Sequence, residues 1–201
     1  MIAIIDYGAG NIKSLQFALT KLGYESYLTT DQGEIRNSNA IILPGVGAFE
    51  DAMTALHKAD LVEVIKDEAN NEKPLLGICL GMQLLYETSN EDGLSNGLGL
   101  LNGHIERINN CVKVPHMGWN TLSLHRDSTI TYQLPSEAYV YFVHSYFATN
   151  INESELISST NYGGLIPAIV RKNNIIGMQF HPEKSGSTGL QLLKNFGEMI
   201  S

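Results

Sequence analysis

The stretch Pro74-Leu75-Leu76-Gly77-Ile78-Cys79-Leu80-Gly81-Met82-Gln83-Leu84-Leu85 reads as a short apolar strand, a turn carrying one cysteine, and the start of a helix. Gly77 and Gly81 flank Cys79 at two residues on either side. That is the spacing of the Gly-x-Ser-x-Gly nucleophile elbow, with a thiol in place of the hydroxyl. A strand that turns into a helix this sharply holds its tip residue under strain. Side chains two residues away would collide there, so glycine fits. The thiol then stands at the N-terminus of the following helix, where backbone N–H groups and the dipole favour a thiolate. The same N–H groups can hold an oxyanion. A small buried cysteine on an ordinary strand-to-helix turn carries the same local signature.

Outward from this stretch, the first half alternates strands and helices. Ile2-Ala3-Ile4-Ile5 and Ala40-Ile41-Ile42-Leu43 are apolar throughout, as strands buried on both faces are. Ser26-Tyr27-Leu28-Thr29 is a further short strand. Ile12, Leu15, Leu19 and Leu22 recur at helical spacing, with Gly23 as a terminator. Phe49 to Leu56 and Leu61 to Ala69 read as one helix broken near Asp60, or as two, and Gly81 to Glu87 starts another. This alternation predicts an α/β fold with a mostly parallel open sheet and helices on both faces.

The second half departs from it. Ser89 to Gly103 is glycine-rich and reads as a loop over the sheet edge. Ile105–Ile108, Val112–Val114, Thr121–Leu124, Ala138–Phe147, Glu155–Ser159 and Ile166–Lys172 are strand candidates with no helices between them. They predict additional antiparallel strands in the C-terminal half. Asn173-Asn174 reads as a two-residue hairpin into Ile175–Phe180, because asparagine tolerates positive φ. Leu190, Leu193, Phe196 and Ile200 mark one face of a closing helix.

The 201 residues suit one domain with a substantial core. A formal net charge of -8 with no Lys/Arg cluster argues against nucleic-acid and anionic-membrane partners. Two distant cysteines, Cys79 and Cys111, form no Cys-x-x-Cys pair and fit a reducing compartment. The chain runs from Met1 straight into an apolar strand with no signal-like segment, so a cytoplasmic protein is expected. Cys111, His104, His116 and His125 fit no zinc spacing, and no metal is expected. Asp6-Tyr7-Gly8-Ala9-Gly10-Asn11 resembles half of a dinucleotide fingerprint. It lacks the third glycine and the downstream acid, so nucleotide binding is not expected.

A cysteine nucleophile needs a base and a group that orients the base. His181, in Gln179-Phe180-His181-Pro182-Glu183, is the best placed of the six histidines, at the C-terminal end of a predicted strand. Positions two apart on an extended chain share a side, and Pro182 keeps the segment extended. Glu183 is then expected to accept from one ring nitrogen while the other faces Cys79, in triad fashion. Pro44-Gly45-Val46-Gly47 also ends a strand. An N–H from Gly45, Val46 or Gly47, with that of Leu80, would make a two-donor oxyanion hole. A plain strand-ending turn explains the same composition.

These motifs resemble the class I, triad-type glutamine amidotransferase family, with its flavodoxin-like fold. More narrowly, the chain resembles the branch formed by the glutaminase subunits of imidazole glycerol phosphate synthase. Gly45-Val46-Gly47 and Pro115-His116-Met117-Gly118-Trp119-Asn120 point to that branch; Val143-His144-Ser145-Tyr146 and Gln179 to Ser185 match in order. The resemblance spans essentially the whole chain and implies a single glutamine amidotransferase type 1 domain over 1–201. It implies that L-glutamine is hydrolysed to glutamate and ammonia through a Cys79 thioester, with His181 as base and Glu183 as orienter. Gly47, Gln83, Glu91, His144, Ser145 and Tyr146 match glutamine-binding positions. No cofactor is implied. Asn11, Trp119, Tyr139 and Lys184 match positions that face a barrel-shaped cyclase subunit in a heterodimer, although Trp119 and Tyr139 equally suit core packing. Ammonia would pass to that cyclase, which forms imidazole glycerol phosphate and AICAR from PRFAR in L-histidine biosynthesis. Three alternatives stay open at this point. They are an amidotransferase subunit serving anthranilate or aminodeoxychorismate synthesis, a stand-alone cysteine hydrolase or peptidase, and a binding module that kept only the fold.

Overall fold

The structure, a computed structural model, describes residues 1–8 and 12–200. The first half runs β1 (Ile2–Ile5), α1 (Ile12–Lys21), β2 (Ser26–Thr29), α2 (Gln32–Asn37), β3 (Ala40–Leu43), α3 (Phe49–Lys58), α4 (Val62–Asn70), β4 (Leu75–Ile78) and α5 (Leu80–Leu84). The second half continues with β5 (Thr88–Ser89), β6 (Ser95–Asn96), β7 (His104–Arg107), β8 (His116–Thr121), β9 (Ser123–Leu124), β10 (Tyr139–His144) and β11 (Tyr146–Thr149). It closes with β12 (Leu156–Asn161), β13 (Leu165–Lys172), β14 (Ile175–Met178) and α6 (Gly186–Glu198).

Eight strands form the main sheet in the order β2-β1-β3-β4-β14-β13-β12-β9. Every pairing from β2 to β14 is parallel, and every pairing from β14 to β9 is antiparallel. The expected α/β class with added antiparallel strands is the one observed. The apolar strands have partners on both faces. In β3, Ile41 and Leu43 join a core with Phe49, Leu56 and Ile65, while Ala40 and Ile42 join one with Leu15, Leu19 and Phe196. That division is why no period-2 alternation shows in their sequence. The closing helix α6 has no side-chain cap at its N-terminus. It is held by packing instead. Leu192, Leu193 and Phe196 are fully buried, each contributing about 2–3 kcal/mol of transfer free energy. Leu190 and Ile200 only pack at the rim.

Several local expectations are corrected. The Ser89–Gly103 loop contains β6 and follows β5, and both extend a four-stranded sheet in the order β11-β7-β5-β6. Two-residue strands leave no periodicity to read. Val112–Val114 forms no strand; the Lys113 carbonyl accepts from the Tyr162 hydroxyl at 2.6 Å instead of from a neighbouring strand. The Ala138–Phe147 run divides at Ser145, because β10 pairs with β8 and β11 with β7. Thr121–Leu124 likewise divides between β8 and β9. The helix after the elbow stops at Leu84 rather than Glu87. Its last carbonyls accept from loop amides, Leu98 N–H to Leu84 and Leu100 N–H to Leu85. Helix α2 was not expected, since six residues are too few for a period. Its signal is Asp31, whose side chain caps the Glu34 N–H at 2.8 Å.

Two features place β14 beside β4. The Asn173-Asn174 turn joins β13 to β14, with Asn173 at φ 54°. The Asn174 amide then donates to the Ala69 and Lys73 carbonyls at 2.8 Å each, just ahead of β4. No helix among the described residues is long and apolar enough to cross a membrane.

Glycine at the elbow is a packing requirement. A Cβ at residue 81 would lie 1.7 Å from the Leu43 carbonyl oxygen, and one at residue 77 would lie 2.7 Å from the Gly81 carbonyl oxygen. Gly81→Ala is therefore expected to lower unfolding free energy by about 3 kcal/mol or more, since backbone cannot yield as a side chain does. Gly99→Ala, at φ +65° with open space around it, is expected to cost only about 1 kcal/mol. Urea-denaturation midpoints of the two variants check the difference.

Candidate active site

Strands β4 and β14 pair in register, with Gly77 opposite Gly177 and Ile78 opposite Met178. Their C-terminal ends therefore deliver Cys79 and Gln179 side by side, with His181 two residues further on. The Cys79 N–H donates to the Met178 carbonyl at 2.7 Å. Cys79 sits at φ 54°, ψ −113°, a conformation L residues rarely adopt, and is 6% exposed. The expected strained elbow is present. The helix behind it, α5, is only five residues long, so its dipole adds less than a longer helix would.

His181 is buried. Its Nδ1 lies 2.8 Å from Glu183 Oε1, and the Glu183 side chain is only 6% exposed. The route differs from the expected one. His181 is extended, at φ −100°, ψ 97°, but Pro182 opens a 3-10 turn through Lys184. The residue before proline is pushed extended, and proline itself suits the first helical position. Three backbone-directed bonds brace the turn. The His181 N–H donates to the Tyr141 carbonyl at 3.0 Å, Ser185 Oγ donates to the His181 carbonyl at 2.6 Å, and the Tyr141 N–H donates to Ser185 Oγ at 2.9 Å. Nε2 of His181 and Oε2 of Glu183 have no hydrogen-bond partner among the described residues. Burial by itself would lower the His181 pKa. Interaction with the Cys79 thiol and the Glu183 carboxylate outweighs it and lifts the value to about 9. The ring thus favours the imidazolium form, with the Cys79 sulfur on one side and the Glu183 carboxylate on the other.

In front of the thiol lies a cavity of about 360 Å³. Val46, Gly47, Cys79, Leu80, Gln83, Glu91, His144, Ser145 and Tyr146 line it, together with Pro115 and Val143. The structure thus brings together every residue expected to bind glutamine. Gln83 donates through Nε2 to the Tyr146 carbonyl at 2.8 Å and to Gln179 Oε1 at 3.0 Å. A carbonyl partner requires the amide nitrogen on that side, so Gln83 offers an oxygen elsewhere. Glu91 accepts from the Phe49 N–H at 2.9 Å, capping α3, whose N-cap residue Ala48 has no side-chain oxygen. Burial, and then the nearby carboxylates of Asp92 and Asp51, raise its pKa against that bond.

The two expected oxyanion donors do not converge. The Leu80 N–H donates to the Gly45 carbonyl at 3.3 Å, so the loop turns an acceptor toward the elbow. The Tyr7 hydroxyl holds the preceding carbonyl, that of Pro44, at 2.8 Å. A Cβ on Gly45 would lie 2.5 Å from that hydroxyl, so only glycine fits.

Trp119 and Tyr139 are 56% and 48% exposed, and Lys184 is exposed, so core packing is ruled out for the two aromatics. Asn11 lies outside the described residues. Sequence reasoning assigned no role to Tyr7, Gln179 or Ser185. All three stood inside quoted motifs, but only the fold shows what they touch. Gln179 Nε2 lies 3.9 Å from Cys79 Sγ. Among the described residues, no group of three or more His, Cys, Asp or Glu side chains is placed to hold a metal.

Known proteins resemble this chain over its whole length. Residues 3–199 match the family model for glutamine amidotransferase class-I. The chain is 60% identical over 200 residues to imidazole glycerol phosphate synthase subunit HisH of Oceanobacillus iheyensis, covering 100% of both chains. It is 48% identical to the subunit of that name from Caldanaerobacter subterraneus subsp. tengcongensis, covering 100% of this chain and 98% of that one. A solved glutamine amidotransferase shares the fold, with a TM-score of 0.79 at 19% identity over 99% of this chain and 98% of its own. The chain belongs to the class-I glutamine amidotransferase family, in the branch of the imidazole glycerol phosphate synthase HisH subunits.

Proposed function

We propose that the chain is the glutaminase subunit of an imidazole glycerol phosphate synthase, acting in the cytoplasm as one domain over 1–201. In this reading it pairs with a barrel-shaped cyclase subunit. The observation that carries the chemistry is the buried His181–Glu183 contact of 2.8 Å beside the Cys79 thiol. The cavity of about 360 Å³ in front of it suits a small substrate such as glutamine.

In the proposed mechanism, His181 holds the proton from Cys79, and the thiolate attacks the side-chain amide carbon of L-glutamine. A carbon–sulfur bond forms and the carbonyl oxygen becomes an oxyanion. As the carbon–nitrogen bond breaks, the electron pair leaves with nitrogen, and His181 returns the proton to the departing ammonia. Water then attacks the thioester, glutamate leaves, and the thiol is restored. Glu183 orients the ring and stabilises the imidazolium. The oxygen of Gln83 accepts from the substrate's N–H groups, Glu91 meets the α-ammonium, and His144, Ser145 and Tyr146 form the wall that receives the α-carboxylate. Gly47 lets the loop approach the ligand.

The oxyanion donors are assembled by rotation of the Gly45–Val46 peptide. That rotation withdraws the Gly45 carbonyl from the Leu80 N–H and presents an N–H in its place. Docking of the cyclase on the face of Trp119, Tyr139 and Lys184 favours the rotated state. The subunit naming of the relatives supports a partner of this kind. Ammonia passes to the cyclase under cover, since release into water would protonate it.

Three outcomes test the reading. Cys79→Ala is expected to reduce glutamine-dependent synthase activity of the complex at least about 10³-fold while ammonium salt still supports the cyclase. Retained glutamine-dependent activity would rule out Cys79 as nucleophile. The pH profile of kcat/KM for glutamine is expected to fall above about pH 9, where His181 loses the proton it must deliver. Glu183→Gln removes an anion that raises this value. The alkaline limb should therefore move to lower pH, and kcat should drop about 10²- to 10⁴-fold.

A further inference from the structure

A pair of histidines runs back from the cavity wall, His144 in the wall and His116 behind it. His116, on β8, and His144, at the end of β10, are 3% and 6% exposed. His116 Nδ1 lies 3.0 Å from His144 Nε2. His144 Nδ1 lies 2.9 Å from the Tyr146 carbonyl oxygen. The His116 ring is clamped between Tyr162, at 3.9 Å between centroids and 16° between planes, and Phe142, at 4.6 Å and 20°. Its Nε2 faces the Asn120 side-chain amide at 3.5 Å.

The protons on this pair follow from the partners. Burial pushes both imidazoles down to about 4, so both are neutral at working pH. A carbonyl oxygen can only accept, so His144 must carry its proton on Nδ1. Its Nε2 is then a lone pair, and the only proton that can meet it is on His116 Nδ1. His116 Nε2 is left as an acceptor facing the Asn120 amide. One arrangement satisfies every contact. Free neutral histidine favours the opposite tautomer, with the proton on Nε2. The Tyr146 carbonyl held at the far end also accepts from Gln83, and Gln83 in turn bonds Gln179 beside the thiol.

We propose that His116 is a positioning residue for the glutamine site. It donates Nδ1–H to His144, holds His144 as the Nδ1–H tautomer, and through it fixes the Tyr146 carbonyl and the Gln83 side chain in the cavity wall. His116 itself does not line the cavity. Its effect is on the shape of the wall that meets substrate, so binding rather than bond breaking depends on it. The proposal rests on the glutaminase reading for its kinetic consequence, but its proton arrangement stands apart from that reading.

The test uses the full chain in complex with the cyclase and the cyclase's substrate. His116→Phe keeps the aromatic stack and removes the donor. His116→Asn places an amide N–H near the position of Nδ1. KM for glutamine is expected to rise at least fivefold in His116→Phe with kcat within about threefold of wild type, and His116→Asn should recover most of that rise. A KM within twofold of wild type in His116→Phe, or His116→Asn as impaired as His116→Phe, would overturn the proposal. Long-range ¹⁵N–¹H spectra of histidine-labelled wild-type protein read the tautomers directly, whether or not the variants fold. Nδ1–H on both His116 and His144 supports the proposal; Nε2–H on His144 refutes it. Absence of glutaminase activity in the wild-type complex would instead remove the functional reading, with the tautomers still measured.

Discussion

The structure depends on the in-register parallel pairing of β4 with β14. These strands are separated by almost half the chain, yet Ile78 lies opposite Met178. A parallel strand has no turn to set its register, so register must come from packing and from bonds beyond the ladder. Here the Asn174 amide ties the start of β14 to the carbonyls of Ala69 and Lys73 just before β4. A slip of one residue would send Gln179 to the wrong face and carry His181 away from the thiol. The elbow glycines serve the same end, because α5 must lie directly against Leu43 for the tip to rise where it does.

Electrostatics then separates two buried histidine sites. His181 is buried beside a carboxylate and a thiol, and is lifted to about 9. His116 and His144 are buried among aromatic rings, meet each other, a carbonyl and an amide, and are lowered to about 4. Burial disfavours the charged form in all three; opposite charge reverses the outcome in one. A buried ion pair is a poor source of stability, since desolvation consumes most of the attraction. The His181–Glu183 pair is better understood as a chemical device than as a structural one. The neutral pair has the reverse character, holding shape without charge.

Much of this was legible from residues alone. Unpatterned apolar runs in β1, β3 and β4 announced a sheet covered on both faces, and the Gly-x-Cys-x-Gly spacing announced the elbow. What failed was short or divided. Helix α2 and strands β5 and β6 are too brief to show a period, and the Ala138–Phe147 run looked continuous although its halves serve different sheets. The His181–Glu183 contact was anticipated for an extended chain and is made by a 3-10 turn, because proline prefers to begin a helix. Trp119 and Tyr139 suited core and surface equally by composition; burial alone separates the two.

The sequence by itself determined the fold class, the cysteine elbow and the residue types that could complete a site with it. These follow from periodicity and from glycine's missing side chain, which are local properties. Only the tertiary structure decided which distant side chains meet: Gln179 with the thiol, Gln83 with Gln179, His116 with His144. It also decided that the Gly45 carbonyl, rather than an N–H, faces Leu80. A peptide unit that follows a glycine can present either of its polar groups, and the choice between them is made by contacts with Tyr7 and Leu80 that no local pattern encodes.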